Sequence, residues 1–417
     1  MFLALRLRCR FWRHSAANLT KKIVTFYWLQ LSVLAGVHFL IDMFASMLPA
    51  ILPAIRAEFG LSLSLGGLVL VALRMTSNGL QPLIGQLRDR KRAPMLIHLG
   101  LILAIFVCLL GIVPRDGNTF TWVILLSGIS GIGIAMVHPE GLRAVHRLKR
   151  IRPAIGTGVF MTGGFLGSAS GGGISAFLVS RYGLKGLYAL ALCPVIGIIF
   201  VLLLRIRLSV ESRVQAKNDV RTEDRGLPFW LIMTMALPAA VSTSVLVSLL
   251  PTVLNELGFK LTFGGFSATM FGLGGAVGAF LWANLADRKG ELRCTILALF
   301  LVIPFLIVYL MFLDHAAAIW LLFGAGFFAI AAYILMITMA RHAIGFGLGR
   351  RMGFVVGGTW AFADIFFIAL LPVAEKFGSE VVLKFVPIGY LLSAGIALFI
   401  LLKIRNRVLI YSAINNL

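Results

Sequence analysis

The chain reads as an all-α polytopic membrane protein, with twelve transmembrane helices arranged as two six-helix pseudo-symmetric bundles. Three observations predict this. Its 417 residues are 59% hydrophobic and only 13% charged, about half of the ~25% that a water-facing surface requires. Apolar runs long enough to cross a bilayer recur along it, separated by short polar segments. A set of residues also recurs at one constant offset of 198 positions, which marks a duplication.

Residues 1–26 form a basic tail containing Arg6, Arg8, Arg10, Arg13, Lys21 and Lys22 and no acid. No small-residue cleavage site follows an apolar core there, as a removable signal would need. The alternation from Leu5 to Arg10 has period two, which is not the helical pattern of an organelle-targeting peptide. A cytoplasmic tail touching anionic lipid is expected. Apolar runs then predict spans at 27–55, 62–86, 94–113, 120–138, 153–179 and 185–204, which make the first bundle, 27–204. A polar linker, 205–228, leads to spans at 229–253, 262–285, 293–313, 317–340, 351–372 and 384–402. These make the second bundle, 229–403, and 404–417 is a second tail.

The net charge of +22 raises the question of nucleic acid. Phosphate-binding residues cluster on a folded polar surface, whereas these lie in short loops between apolar runs. Thirty of the 38 Lys and Arg residues fall on the side of the membrane that holds the termini, and seven on the other. The positive-inside rule then places both termini in the cytoplasm and requires an even number of spans, as in a multi-pass protein of a bacterial inner membrane. Trp122 and Trp320 open spans at the outer interface, where indoles prefer to lie. Cys9, Cys108, Cys193 and Cys294 have no metal-ligand spacing and are expected as free thiols. No His, Asp and Glu residues lie at metal spacing along the sequence, and no nucleophile–base constellation or phosphate-binding loop is present. An enzyme, a cofactor, a resident metal and an ATP-driven pump are therefore not expected.

The duplication pairs Pro53, Glu58, Gly60, Gly66, Gly67, Asp89, Arg90 and Lys91 with Pro251, Glu256, Gly258, Gly264, Gly265, Asp287, Arg288 and Lys289. The same offset joins Trp122 to Trp320, Gly128 to Gly326 and Arg143 to Arg341. An even number of spans separates the copies, so they share one orientation and are related by an axis along the membrane normal.

The repeated loop, Gly85-Gln86-Leu87-Arg88-Asp89-Arg90-Lys91-Arg92, resembles the one between the second and third spans of major facilitator transporters. Its copy is Ala283-Asn284-Leu285-Ala286-Asp287-Arg288-Lys289-Gly290, with alanine where Gly85 stands. An Asp at a helix end can pair with Arg or a helix terminus in one state and release it in another. Gly85, Asp89, Arg90, Asp287 and Arg288 are therefore expected to gate rather than to bind substrate. A narrower resemblance rests on His38-Phe39-Leu40-Ile41-Asp42 with Pro49 and Pro53, Gln81-Pro82, His138-Pro139-Glu140 with Arg143, and Gly163-Gly164 with Gly167. Over about the first 180 residues this pattern is similar to the fosmidomycin resistance protein family. The resemblance implies a proton-coupled secondary active transporter that exports a small organic compound, such as an antibiotic or metabolite, by alternating access. The partners it implies are that substrate, protons and the lipid bilayer, for a chain acting as a monomer. Uptake by symport, and a scaffold without transport, stay open as alternatives.

Ionisable residues inside spans are functional candidates. Asp42 lies near the middle of the first span, one turn from His38, so the two share a face. Asp42 is the expected proton-coupling acid and His38 its partner or relay. Arg74 lies at the centre of the second span, where an arginine costs at least ~2.5 kcal/mol. The family architecture implies that the second and eleventh spans face each other, which makes Asp364 its expected partner. Arg74 with Asp42, or Arg74 with a substrate carboxylate or phosphonate, are the alternatives. Glu140 is expected to pair with Arg143 or with an arginine of the Asp89 loop, at the end of the fourth span. Gly163, Gly167, Gly171 and Gly172 approach the antiporter-type fifth-span motif, with Ser168 where that motif has proline. Small residues four apart let helices approach closely, so packing or a hinge is expected there. Asn78, Gln81 and Asn284 are lesser candidates for cavity polarity, and Phe160, Trp360 and Phe366 for its apolar lining.

Overall fold

A backbone inside a bilayer must satisfy its own hydrogen bonds, and continuous apolar segments do so as helices. The computed structural model describes residues 25–84, 95–148, 150–151, 153–206 and 226–414, and among these no strand forms. Helices α1 and α2 are Thr25–Phe59 and Leu63–Ile84, and α3 is Leu96–Ile112. They are followed by α4, Thr119–His146, α5, Pro153–Tyr182, and α6, Leu192–Leu203. In the second half α7 is Phe229–Glu256, α8 is Leu261–Lys289, α9 is Glu291–Met311 and α10 is Ile319–Arg341. The last two are α11, Arg350–Phe377, and α12, Ser379–Arg405.

Among the described residues ten stretches are both long and apolar enough to cross a membrane as single helices, and two local features raise the number of crossings to twelve. The stretch Ile155–Leu203 is 49 residues long. A 3-10 segment at Gly183–Ala191, entered through the left-handed Gly183 (φ +62°), folds it into α5 and α6. Helix α3 has only nine α-helical residues, but eight more continue as 3-10 helix. The 3-10 form rises ~2.0 Å per residue, so α3 reaches about 30 Å, the thickness of the hydrocarbon core.

Two span ends that carry candidate residues differ from the sequence expectation. The fourth span does not stop at residue 138, because α4 continues through Pro139 to His146. Neighbouring helices re-satisfy the backbone group that a membrane proline frees. Helix α8 runs to Lys289, and the left-handed Gly290 (φ +90°) turns the chain directly into α9. Asp287 and Arg288 thus occupy the last helical turn instead of a loop. Within α11, residues Phe354–Gly358 form a π-helical segment. Helix α1 is interrupted by a single turn residue at Ser46, whose hydroxyl donates back to the carbonyls of Asp42 at 3.0 Å and Met43 at 3.1 Å.

The two halves repeat their packing. Helix α2 lies against α4 as α8 lies against α10, and α1 against α5 as α7 against α11. Close approach uses glycine against carbonyls that the 198-residue offset pairs: Gly131 of α4 sits on the Leu73 carbonyl of α2, and Gly326 of α10 on the Phe271 carbonyl of α8. Between the halves, α5 meets α8, α2 meets α11 and α1 meets α7. On the side away from the termini this seam is closed. Arg56 of α1 pairs with Glu256 of α7 at 3.6 Å, and Ser64 of α2 donates to Glu375 of α11.

Candidate functional site

Two clusters of polar side chains stand in the apolar interior. The first joins the halves. Arg74 of α2 reaches Asp364 of α11, with Nη2 2.9 Å from Oδ1. Its Nη1 donates to Ser248 Oγ of α7 at 2.8 Å, and its guanidinium lies over the Phe367 ring, 5.5 Å from the centroid. Ser244, one turn before Ser248, donates to Asp364 Oδ1 at 3.3 Å. The Asp364 side chain is fully buried and that of Arg74 is 12% exposed. Arg74 Nε and Asp364 Oδ2 have no hydrogen-bond partner among the described residues. An arginine at this depth needs a carboxylate within contact, and α11 supplies it.

The second cluster lies within the first half. Asp42 of α1 holds two imidazoles, with Oδ1 2.9 Å from His138 Nε2 of α4 and Oδ2 3.4 Å from His38 Nε2 of α1. Each ring uses its other nitrogen on the backbone. His38 Nδ1 lies 2.8 Å from the Phe160 carbonyl and His138 Nδ1 3.1 Å from the Ile134 carbonyl. A carbonyl only accepts, so Nδ1–H is the donor in both rings, and both Nε2 atoms face the carboxylate. At 2.9 Å a proton must lie between His138 Nε2 and Asp42, or two lone pairs would meet. The Phe160 ring stacks on His38 at 4.1 Å. Asp42 and His138 keep about a fifth of their side-chain surface accessible, at 19% and 21%.

The structure therefore brings Asp42 to His38 and Arg74 to Asp364, and does not pair Arg74 with Asp42. Glu140 is wholly buried, with Arg143 Nη1 3.6 Å from its Oε1. Gly85, Asp89 and Arg90 lie outside the described residues, while Asp287 and Arg288 are exposed at the end of α8. Asn284 donates to its own helix, at the Phe280 carbonyl (2.8 Å). Of the aromatic candidates, Phe160 is buried, Trp360 donates to Tyr333 Oη at 2.8 Å, and Phe366 is exposed. The glycines of α5 serve two neighbours. Gly163, Gly167 and Gly171 rest on the carbonyls of Ala35, Phe39 and Met43 of α1, whereas Gly172 faces Gly265 and Ala268 of α8 across the seam.

Sequence reasoning missed three residues here. Ser244 and Ser248 belong to a run of hydroxyls in an otherwise apolar helix, Ser242-Thr243-Ser244 and Ser248, which was the available signal. His138 was expected at a helix end with Glu140. Because α4 continues past Pro139, it is an interior residue and meets Asp42, 96 positions away in the chain.

The sequence model of the Major Facilitator Superfamily matches residues 34–357. An uncharacterized MFS-type transporter of Bacillus subtilis, YfnC, is 23% identical over 370 residues, which cover 84% of this chain and 88% of that one. The fosmidomycin resistance protein of Escherichia coli is 26% identical over 215 residues, 51% of this chain and 52% of its own length. Among solved structures, a bacterial homologue of the human lysosomal transporter Spinster, in an inward-facing and unoccupied conformation, has the same fold. It superposes with a TM-score of 0.65 at 16% identity, over 89% of this chain and 96% of its own. Twelve helices in two like-oriented halves, joined at a buried charge pair, agree with the family match along most of the sequence: the chain belongs to the Major Facilitator Superfamily.

Proposed function

We propose that this membrane transporter couples protons to the export of a small organic compound bearing a carboxylate or phosphonate. The observation that carries the reading is the Arg74–Asp364 pair, 2.9 Å apart and contributed by opposite halves. Alternating access rocks one half against the other about a central site, so a charge pair across the seam feels every cycle. Arg74 Nε and Asp364 Oδ2 lack partners among the described residues. A substrate anion bound at Arg74 would compete with Asp364 for the guanidinium, and a substrate donor would find Oδ2 open. Ser248 and Ser244 hold the two charges in register while the exchange proceeds.

The proton site in this reading is Asp42 with His38 and His138, where one proton is shared at 2.9 Å and the carboxylate is still accessible. With the positively charged loops in the cytoplasm, the closed side is the outer one. An exporter must load its substrate from the cytoplasmic side. The similarity to the fosmidomycin resistance protein over half of the chain makes an antibiotic or a related small compound the first substrate to test.

The test has two steps. Cells with and without the protein are screened for resistance to anionic antibiotics and for accumulation of organic acids. The compound identified is then added to proteoliposomes while lumenal pH is followed. Substrate-driven proton movement in the opposite direction is expected, and Asp42→Asn should abolish it while leaving substrate binding in place. Movement of protons and substrate in the same direction would replace export by symport.

A further inference from the structure

The geometry points to a site for a divalent first-row transition-metal ion at His38, Asp42 and His138, a property beyond the transport reading and not required by it. One ligand atom from each of the three residues can be chosen so that all lie within 4.8 Å of one another. The two contacts to the carboxylate measure 2.9 Å and 3.4 Å. These contacts run to different carboxylate oxygens; tetrahedral ligands held ~2.1 Å from an ion stand about 3.4 Å apart, so the three ligand atoms, within 4.8 Å of one another, would draw together around an ion. Three protein ligands leave further positions open, the arrangement of an exchangeable site rather than a closed structural one.

Three independent features favour a cation here over a simple hydrogen-bonded cluster. First, both histidines present the same nitrogen. Their Nδ1–H groups are committed to the carbonyls of Phe160 and Ile134, at 2.8 Å and 3.1 Å. A backbone bond at Nδ1 holds the ring plane and leaves Nε2 as the nitrogen for a metal, which would displace the proton shared between His138 and Asp42. Second, the α5 backbone packs directly on the ligands through a residue with no side chain. A methyl group on Gly164 of α5 would lie 2.5 Å from Asp42 Oδ2 and 2.6 Å from His38 Nε2, so any side chain there would block the cradle. The small residue is explained by the ligands, since its neighbours Gly163 and Gly167 are the ones that rest on the α1 backbone. Third, Asp42 and His138 keep 19% and 21% of their side-chain surface, so protein atoms do not fill all the room around them, while stacking on Phe160 keeps His38 in place. Two imidazoles and one carboxylate suit Zn, Fe, Co or Ni and are poor for Mg or Ca, which prefer all-oxygen sites.

The test uses the purified full-length protein in nanodiscs, titrated with zinc by calorimetry and with cobalt by visible absorption. One ion per chain is expected, with ligand-field bands of a nitrogen–oxygen site. Asp42→Asn, His138→Gln and Gly164→Ala should each weaken binding by at least ~10-fold, the lower end of what disturbing such a site costs. Replacing the exposed His315 and His342 together with Gln should leave it unchanged. His138→Cys keeps a ligand at the same place, so it should still bind cobalt and add a sulfur charge-transfer band, which a mere loss of folding cannot produce. Absence of saturable zinc binding overturns the site, as does binding that survives Asp42→Asn and His138→Gln or that vanishes with His315 and His342. Proton movement is measured separately in proteoliposomes containing a chelator. Its loss there counts against the proton reading alone, and failure of zinc to bind leaves that reading untouched.

Discussion

At the scale of single residues, the interior charges are costly and their pairing decides whether the chain folds. Asp364 is fully buried and Arg74 nearly so. Breaking such a pair from one side leaves an uncompensated charge, at ~3–5 kcal/mol, whereas replacing both members by neutral groups is often close to neutral. Arg74→Gln and Asp364→Asn should each lower the thermal midpoint of the purified protein markedly, and the double variant should recover most of it. Their non-additivity, read as a double-mutant cycle, measures the contact. Transport behaves differently. If Arg74 binds the substrate anion, the double variant stays inactive despite its recovered stability, and full activity in that variant would remove Arg74 from the substrate site. The pairing was open to sequence reasoning because Asp364 is the acid inside the eleventh span, which the family architecture sets against the second, although Asp42 also offered Arg74 a carboxylate. The role of His138 was not, because a proline at position 139 reads as a helix end in sequence, and only packing shows that α4 passes through it.

At the scale of helices, small residues set how closely backbones approach, and the cost of a methyl group depends on what faces it. A Cβ on Gly167 would run into the Phe39 carbonyl, whereas a Cβ on Gly158, earlier in the same helix, would meet nothing within 4 Å. Overpacking a helix interface costs ~1–3 kcal/mol, while Gly→Ala in an open helical position stabilises by roughly 0.5–1 kcal/mol. Gly167→Ala should therefore destabilise and Gly158→Ala should not, as judged by melting of the purified protein. Equal effects at the two positions would show that α1 and α5 are not held by this contact. The stripe Gly163, Gly167, Gly171 was visible as a four-residue period. What faces it was not, since a period names a face of a helix and leaves the neighbour undetermined. Gly172, one position on, turns to α8 instead, so one glycine-rich segment serves both the interior of a half and the seam between halves.

At the scale of the molecule, the 198-residue offset and the hydropathy pattern carried the architecture, because both are properties of the chain alone. The irregularities that make twelve crossings from ten long helices were less legible. The 3-10 segments of α3 and before α6 leave the apolar pattern unchanged while altering rise and direction. The conformational state was not legible at all, since it depends on contacts between halves that rearrange without any change of sequence. Here the side away from the termini is held by Arg56–Glu256, Ser64–Glu375 and the Gly172–Gly265 approach. Exposed ion pairs contribute only ~0–1 kcal/mol each, so this closure is suited to opening in a cycle. Cysteines placed at Ser64 and Glu375, in a background with Cys9, Cys108, Cys193 and Cys294 replaced by serine, should be joined by a short bifunctional thiol reagent. The bridge ties α2 to α11 at the far end of the seam. Transport should fall to background on bridging and return when a cleavable bridge is reduced, while each single cysteine variant is unaffected by the reagent. Undiminished transport by the bridged protein would mean that this side does not open during the cycle, and a rocking of the two halves about the Arg74–Asp364 pair would have to be abandoned.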